Sequence, residues 1–403
     1  MSKIITDKKK IEDLLTRGVV DVIVKKDLEE KLMSGKKLRV KYGIDPTGPK
    51  IHLGRASTMR KLAKFQELGH QVVLIVGDFT AQIGDASDKT NERPMLTDKQ
   101  VKENMENYLP QIGRIIDIEK AEVRYNSEWL GKLSYSDICR HADNFSVAQI
   151  LDRENFSKRI KEGTRISLRE LLYPLMQGYD SVAIKADVEI GGSDQLFNVL
   201  AGRELQRDYG QEAQNIVTFK LLDGTDGRKM STSWGNIICI TDDADSIYGK
   251  IMSMRDELIT QYFELCTDVG LAEIKKMESE IAKNKINPRD LKMDLAREII
   301  KIYHNEKSAF AAEENFKNVF QKKEIPDEVA EFEVKEKNIN ILDLLVKTDL
   351  AKSKGEARRL IEQKGVKIDG QVITDANLII KISSGGVLIQ KGKRFFIRVK
   401  RST

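Results

Sequence analysis

The sequence predicts an α/β protein: a parallel sheet carrying a helical insertion, then an all-helical stretch, then a small α+β unit. Three observations lead there. Two apolar, strand-like runs at 38–44 and 71–77 flank a stretch of helical spacing at 54–68. A β–turn–α–β order over about 40 residues is the repeating unit of a parallel sheet. From 243 to about 322 the apolar positions recur only at helical spacing, and beyond 338 short strand-like runs return with a change of charge. A chain of 403 residues has room for two or three domains at roughly 100–200 residues each.

The elements follow in order. Residues 38–44 (LRVKYGI) read as a buried strand, closed by the turn cluster Asp45-Pro46-Thr47-Gly48-Pro49. The helix at 54–68 stops at Gly69, and 71–77 is the next strand. A polar loop covers 78–96. Thr97-Asp98-Lys99-Gln100 is a capping box that opens a helix to about Ile116. A short strand at 121–125 precedes several short helices at 127–165, read as an insertion. Ser167-Leu168-Arg169-Glu170 is a second capping box, opening a helix to about Ala183. Strand 187–190, Gly191-Gly192, a helix at 194–209 and strands at 215–222 and 236–240 complete a first domain, 1–240. Residues 241–322 form a helical domain. Residues 323–337 are charged and aperiodic and read as a linker. Residues 338–403 form the last unit.

Composition narrows the class. Charged residues are 33%, apolar ones 40%, and there are only 7 prolines, as in a soluble globular protein. The longest aliphatic run, 72–76, is far short of the ~20 residues that span a bilayer. The first ten residues hold no apolar signal core, so no export and no membrane partner are expected. Cys139, Cys239 and Cys266 are widely spaced with no C-x-x-C pair, which excludes a disulfide framework and fits the reducing cytoplasm. No metal site of protein side chains is expected. The net charge of +5 is uneven: 338–403 holds 14 Lys+Arg against 6 Asp+Glu, net +8, leaving −3 for 1–337. A basic module on a slightly acidic body is the footprint of a polyanion partner, or simply a solvated surface.

Five constellations carry chemistry. The turn from Asp45 through His52, Gly54 and Arg55 follows the first strand, where ligands of open α/β sheets sit. His52 falls at a helix start, a place that favours anions, or it is an ordinary capping histidine. The run Gly227-Arg228-Lys229-Met230-Ser231-Thr232-Ser233 combines cations and hydroxyls suited to a polyphosphate, or is a surface turn. Tyr173, Gln177 and Asp180 share one face of an otherwise apolar helix. They suit a small zwitterion with a distant hydroxyl, or an internal hydrogen-bond network. Gly191-Gly192-Ser193-Asp194-Gln195 ends a strand and starts a helix, which suits a ribose diol or an N-cap. Lys354, Arg358, Arg359, Lys364 and Lys367 make a compact basic face, which backbone-directed RNA recognition uses.

The turn HLGR and the loop KMSTS resemble the HIGH and KMSKS signatures of class I aminoacyl-tRNA synthetases, YPLMQGYD resembles a stretch of the bacterial tyrosine-specific members, and the chain resembles those members from end to end. The resemblance implies a Rossmann-type catalytic domain, a helical domain like those that bind anticodons, and an S4-like RNA-binding domain. It implies ATP-dependent activation of tyrosine and transfer to tRNA(Tyr), with Mg²⁺ accompanying the nucleotide. It implies a cytoplasmic homodimer that pairs through 127–165, and no DNA partner. It assigns Asp85, Tyr173, Gln177, Asp180 and Gln195 to tyrosine. It assigns Gly43, Asp45, His52, Gly54, Gly192, Asp194, Lys229, Met230 and Ser231 to ATP. Thr47, His52, Arg55, Lys89, Arg93 and Lys229 are implied around the reacting phosphates.

Four positions depart from the pattern. Arg55 stands for the second histidine of HIGH and Thr232 for the second lysine of KMSKS, with Arg55 or Arg228 expected to compensate for the lost charge. Lys41 stands where some members carry a tyrosine that touches the substrate phenol. Ala86-Ser87-Asp88 replaces Pro-Ser-Gly. A catalytically impaired, synthetase-like RNA-binding protein is the rival reading. The joint presence of Asp85, Lys89, Arg93, Tyr173, Gln177, Asp180, Asp194 and Gln195 argues against it.

Overall fold

The computed structural model describes residues 3–85, 95–230, 234–318, 329–383, 386–392 and 395–402. The chain divides into two compact units, Met1–Glu306 and Lys307–Thr403.

The first unit is built on six strands: β1 (Val19–Ile23), β2 (Arg39–Ile44), β3 (Gln71–Val76), β4 (Glu122–Tyr125), β5 (Val188–Gly192) and β6 (Asn215–Phe219), in the spatial order β1-β6-β5-β2-β3-β4. All neighbours run parallel except β1, which pairs antiparallel with β6 at the edge. The order reverses between β2 and β5, since β3 and β4 lie on one side and β6 on the other. That crevice, at the carboxyl ends of the strands, is where open α/β sheets place ligands. β2, β3 and β6 are almost wholly buried, as strands covered on both faces must be.

Both capping boxes form: Gln100 accepts from the Thr97 amide at 2.9 Å and Glu170 from the Ser167 amide at 2.9 Å. The insertion at 127–165 is four short helices. Several expectations need correcting. The helix that starts at Thr97 breaks after Met105 and resumes over Tyr108–Ile112, because Pro110 has no N–H for the carbonyl of residue 106. The loop at 78–96 contains a helical turn, Thr80–Ile83. Residues 236–240 are not a sheet strand. They clamp the HLGR turn instead, through Leu53 N→Ile238 O at 2.8 Å, Ile240 N→Ile51 O at 3.0 Å and a single bridge between His52 and Cys239. β1 lay outside the sequence reading. It is a half-buried edge strand with a weak apolar pattern.

The helices after 243 belong with the first unit as far as residue 306, rather than standing alone from 241. Arg17 donates to the carbonyls of Glu264 and Val269, and Arg60 pairs with Asp268 at 2.9 Å, so polar contacts join these helices to the sheet's own.

The second unit begins with a helix that runs to Phe316. Its main sheet has the order β10-β9-β12-β13-β7, from β7 (Ala330–Val334), β9 (Val366–Ile368), β10 (Gln371–Val372), β12 (Val387–Lys391) and β13 (Phe395–Arg401). β8 (Asn338–Asn340) and β11 (Ile379–Lys381) pair separately. The expected linker at 323–337 is therefore a strand in its second half. β7 runs parallel to β13 and buries Val334 in a core with Ile341, Leu345, Ile361, Ile389 and Val399.

Candidate functional site

A cavity of about 540 Å³ opens at the crevice between β2 and β5. Gly43, Asp45, Thr47, His52, Gly54, Arg55, Asp85, Tyr173, Gln177, Asp180, Gly192, Asp194, Gln195, Lys229 and Met230 all line it, so five separate stretches of sequence converge on one hole. Lys89, Arg93 and Ser231 lie outside the described residues, as does Thr232.

At the inner end, Asp180 is buried on the helix Leu168–Ile184. Its Oδ1 accepts from the Trp129 indole at 2.7 Å, and Oδ2 takes a long 3.4 Å contact from Asn126. Burial raises its pKa to about 7, partly offset by nearby Lys41. One and two turns back on the same helix, Gln177 donates to Glu189 at 3.2 Å and the Tyr173 hydroxyl donates to Asp45 at 2.8 Å. Burial, then Asp45, holds the Tyr173 phenol well above its usual range, so it stays a donor. The three side chains form an internal network and face the cavity, so the two readings of this helix were not exclusive.

Across the cavity, Asp85 accepts from Gln195 at 2.8 Å, and Asn198 donates to Gln195 at 3.0 Å. Arg169 donates to the Ile83 carbonyl, which ties the Asp85 segment to the helix that carries Tyr173. This end of the cavity offers an ordered ring of acceptors and amides around space for a small, polar-ended molecule.

The outer end is built on the HLGR turn. His52 precedes the helix Leu53–Glu67 but makes no capping bond with its side chain. Its Nδ1 is buried without a hydrogen-bond partner among the described residues. Burial, then Arg55, lowers its pKa to about 3, so the imidazole is neutral at any working pH. A side chain at Gly54 would press on the His52 ring at 3.1 Å and on Met230 Sδ at 3.2 Å. The glycine keeps the floor flat there. Arg55 donates to Thr47 Oγ1 at 2.7 Å and to the Tyr108 hydroxyl, so its guanidinium is held at the rim. Arg228 is held as well, paired with Asp226 at 2.5 Å and stacked 4.7 Å over Trp234.

Lys229 leaves a hairpin closed by an Asp223–Lys229 bridge, and Asn236 donates to its carbonyl at 3.1 Å. The ammonium, partly exposed, comes to 3.6 Å from Asp194 Oδ2. Asp194 sits in the middle of the turn Ser193–Gln195, whose N-cap position is Gly192. A Cβ at Gly192 would fall 2.7 Å from Asp194 Oδ1, so only glycine lets that carboxylate lie over the strand end. A cation, a carboxylate and a neutral imidazole around an open strand end suit a sugar bearing phosphates.

Sequence reading missed Trp129, Asn126, Thr80 and Tyr108, and gave no role to Glu189, which begins the strand-end stretch that runs on to Gln195. Glu189 did leave a signal: a carboxylate inside VEIGG faces a lysine inside RVKYGI, two charges in the interior of strands whose one other charge is Arg39 at the start of β2.

In the second unit, Arg358 and Arg359 are exposed on the helix Lys354–Glu362, which Ser353 caps at 3.2 Å. Lys364 follows in the left-handed region at φ 56°, Lys367 lies on β9, and Lys354 pairs with Asp343 at 2.6 Å.

The family model for class I tRNA synthetases (W and Y) matches residues 33–321, and that for the tyrosine–tRNA ligase SYY-like C-terminal domain matches 321–399. The tyrosine–tRNA ligase of Thermotoga maritima is 48% identical over 387 residues, 96% of each chain. That of Moorella thermoacetica is 46% identical over 391 residues, 96% of this chain and 94% of its own. Among solved structures, the tyrosyl-tRNA synthetase of Archaeoglobus fulgidus with L-tyrosine superposes with a TM-score of 0.61 at 21% identity, over 75% of this chain and 99% of that one. At that identity the likeness speaks for the fold. Matches that run almost the full length of both sequences place this chain in the class I tyrosyl-tRNA synthetase family.

Proposed function

We propose that this chain activates tyrosine with ATP and esterifies it to tRNA(Tyr), using the cavity between β2 and β5 for both steps. A tyrosine carboxylate oxygen attacks the α-phosphorus, and the bond to pyrophosphate breaks. A ribose hydroxyl of the terminal tRNA adenosine then attacks the adenylate's carbonyl, and AMP leaves. No side chain needs to become a nucleophile, so the protein's work is positioning and charge stabilisation.

The observation that carries this reading is Asp180, a buried carboxylate at the cavity's inner end with Oδ2 only weakly engaged. A substrate phenol donates to it there. A substrate without that hydroxyl leaves the buried carboxylate underpaired, which disfavours phenylalanine. Tyr173, Gln177, Asp85 and Gln195 hold the substrate's ammonium and carboxylate ends. The backbone at Gly43 and Asp45 flanks the nucleotide, Gly54 and Met230 bound the adenine, and Gly192 with Asp194 takes the ribose. His52 donates to phosphate as a neutral imidazole. Lys229 leaves Asp194 for the phosphates as the nucleotide arrives, and Thr47 and Arg55 line their exit. Lys89, Arg93 and Ser231 complete that cluster by resemblance.

Among the described residues no three His, Cys, Asp or Glu side chains gather as a metal site. Mg²⁺ would therefore be held chiefly by the triphosphate. Lys354, Arg358, Arg359, Lys364 and Lys367 contact tRNA through its backbone. Tyr135, Val147, Ile160 and Leu168 are exposed apolar side chains in and just after the 127–165 insertion, which supports a homodimer through that face. No described helix is long and apolar enough to cross a membrane, and the enzyme is proposed to work in the cytoplasm.

ATP–pyrophosphate exchange with tyrosine, phenylalanine and tryptophan in turn tests the reading. Exchange with tyrosine alone is expected. No exchange, and no acylation when tRNA is added, would leave the synthetase-like binding protein as the answer.

A further inference from the structure

Lys41 and Glu189 are 0% and 1% exposed and lie side by side as partners in the parallel pairing of β2 with β5. Their charged groups meet at 2.9 Å. Every donor of the ammonium is used. Besides Glu189 it donates to the Gln177 carbonyl at 2.7 Å and to Ser181 Oγ at 2.7 Å. The carboxylate is equally occupied. Oε1 also accepts from Gln177 Nε2 at 3.2 Å, while Oε2 accepts from Ser181 Oγ at 3.0 Å and Gln214 Nε2 at 2.5 Å. Neither residue lines the cavity.

A buried ion pair is a poor source of stability, because the cost of desolvating both charges offsets much of their attraction. What this pair supplies is geometry. Gln177 is held at two points, its backbone carbonyl by Lys41 and its side-chain amide by Glu189. Ser181, the residue after Asp180, is bonded to both charges. A fully satisfied network of this kind allows one arrangement and penalises others, since any slip leaves a buried charge unpaired. The helix segment that presents Gln177 and Asp180 to the cavity is thereby locked to the two strands that flank the crevice.

We infer that Lys41 and Glu189 are positioning residues for the amino-acid substrate, fixing Gln177 and Asp180 through bonds the substrate never touches. The inference rests on the tyrosine site proposed above. It also gives Lys41 a part different from the tyrosine that stands there in some family members: with its three donors engaged, it does not reach for the substrate phenol.

Kinetics on the full chain test it. Single variants leave a buried charge alone and are expected to fold poorly, so the informative variant is the double K41M/E189L, which removes both charges at similar volume. It is expected to raise the KM for tyrosine about 10- to 100-fold while the KM for ATP moves less than about 2-fold, and to reduce the preference for tyrosine over phenylalanine. S181A cuts the link without touching charge and is expected to raise the tyrosine KM about 3-fold, again with ATP unaffected. A folded double variant with unchanged tyrosine KM and selectivity would overturn the inference. If the double variant does not fold, wild-type kinetics in S181A overturn it instead. Failure of the wild type to exchange with tyrosine is a separate result, and it would sink the proposed function rather than the network's role.

Discussion

The two ends of the cavity are built on opposite plans. At the inner end, Tyr173, Gln177 and Asp180, with Lys41 and Glu189 behind them, are buried or nearly so, and each polar group is bonded to another element of the fold. At the outer end, Lys229 and Arg228 sit on a hairpin, substantially exposed, with partners close by in sequence or at long range. The inner end can discriminate because its polar groups are held by bonds to the fold, so a missing hydroxyl or a misplaced amide leaves a buried group underpaired. The outer end can follow a charge that moves during the reaction, because exposed cations rearrange at little cost. On the proposed function, specificity and phosphate chemistry are separated along one cavity.

The sharpest way to break this division is Asp180→Asn. The substitution removes a buried charge and turns an amide donor toward the Trp129 indole or the substrate. We expect tyrosine kcat/KM to fall about 10²- to 10³-fold with the ATP KM nearly unchanged, read in the exchange assay. A parallel loss of ATP affinity would show that the two ends are not separable. Lys229→Ala should do the converse. It should lower kcat about 10²-fold at saturating substrates, while tyrosine binding in an equilibrium titration shifts less than about 3-fold.

pH sharpens the same contrast. The Asp180 carboxyl has its pKa raised by burial from 3.8 to about 7, so acidification protonates it while it is still needed as an acceptor. Tyrosine kcat/KM should therefore level off above about pH 7 and fall toward tenfold per unit below it. His52, lowered to about 3, contributes no inflection between pH 5 and 8, so the KM for ATP should stay flat across that range. An ATP profile that breaks near pH 6.5 would place a charged histidine at the outer end. The smallest effect lies away from both ends. Arg358→Ala with Arg359→Ala should leave pyrophosphate exchange unchanged and raise the KM for tRNA by about 3- to 10-fold, the difference from wild type narrowing as salt rises.

Much of this was legible in the primary structure, for reasons that can be named. HLGR, YPLMQGYD, the Gly-Gly-Ser-Asp-Gln turn and the KMSTS loop are short segments whose residue types matter individually, so they stand out without an alignment. The order β–α–β around them is local, as are the two capping boxes, each of which is made within four residues. Edge strand β1 was missed because it is half-exposed and gains its partner only from β6, almost 200 residues on. Residues 236–240 have the apolar pattern of a strand, but their neighbours are the HLGR turn rather than the sheet, and that choice is made in three dimensions. The same holds for β7, whose charged sequence conceals one buried position, Val334, that docks on the last strand of the unit.

Residue types and their local spacing already carry the chemistry on offer: which segments could bind phosphate, a sugar and a small zwitterion, and that a basic module follows them. Local spacing and residue type suffice for that, because helix faces, caps and turns are settled within a few residues. How those groups are held is set by the three-dimensional packing of the chain. It put Lys41 opposite Glu189 across two strands separated by nearly 150 residues, set Trp129 from the insertion against Asp180, and left His52 half-buried and neutral. Desolvation and long-range hydrogen bonding act between segments that are distant along the chain. The protonation states and the rigidity of the site therefore belong to the fold.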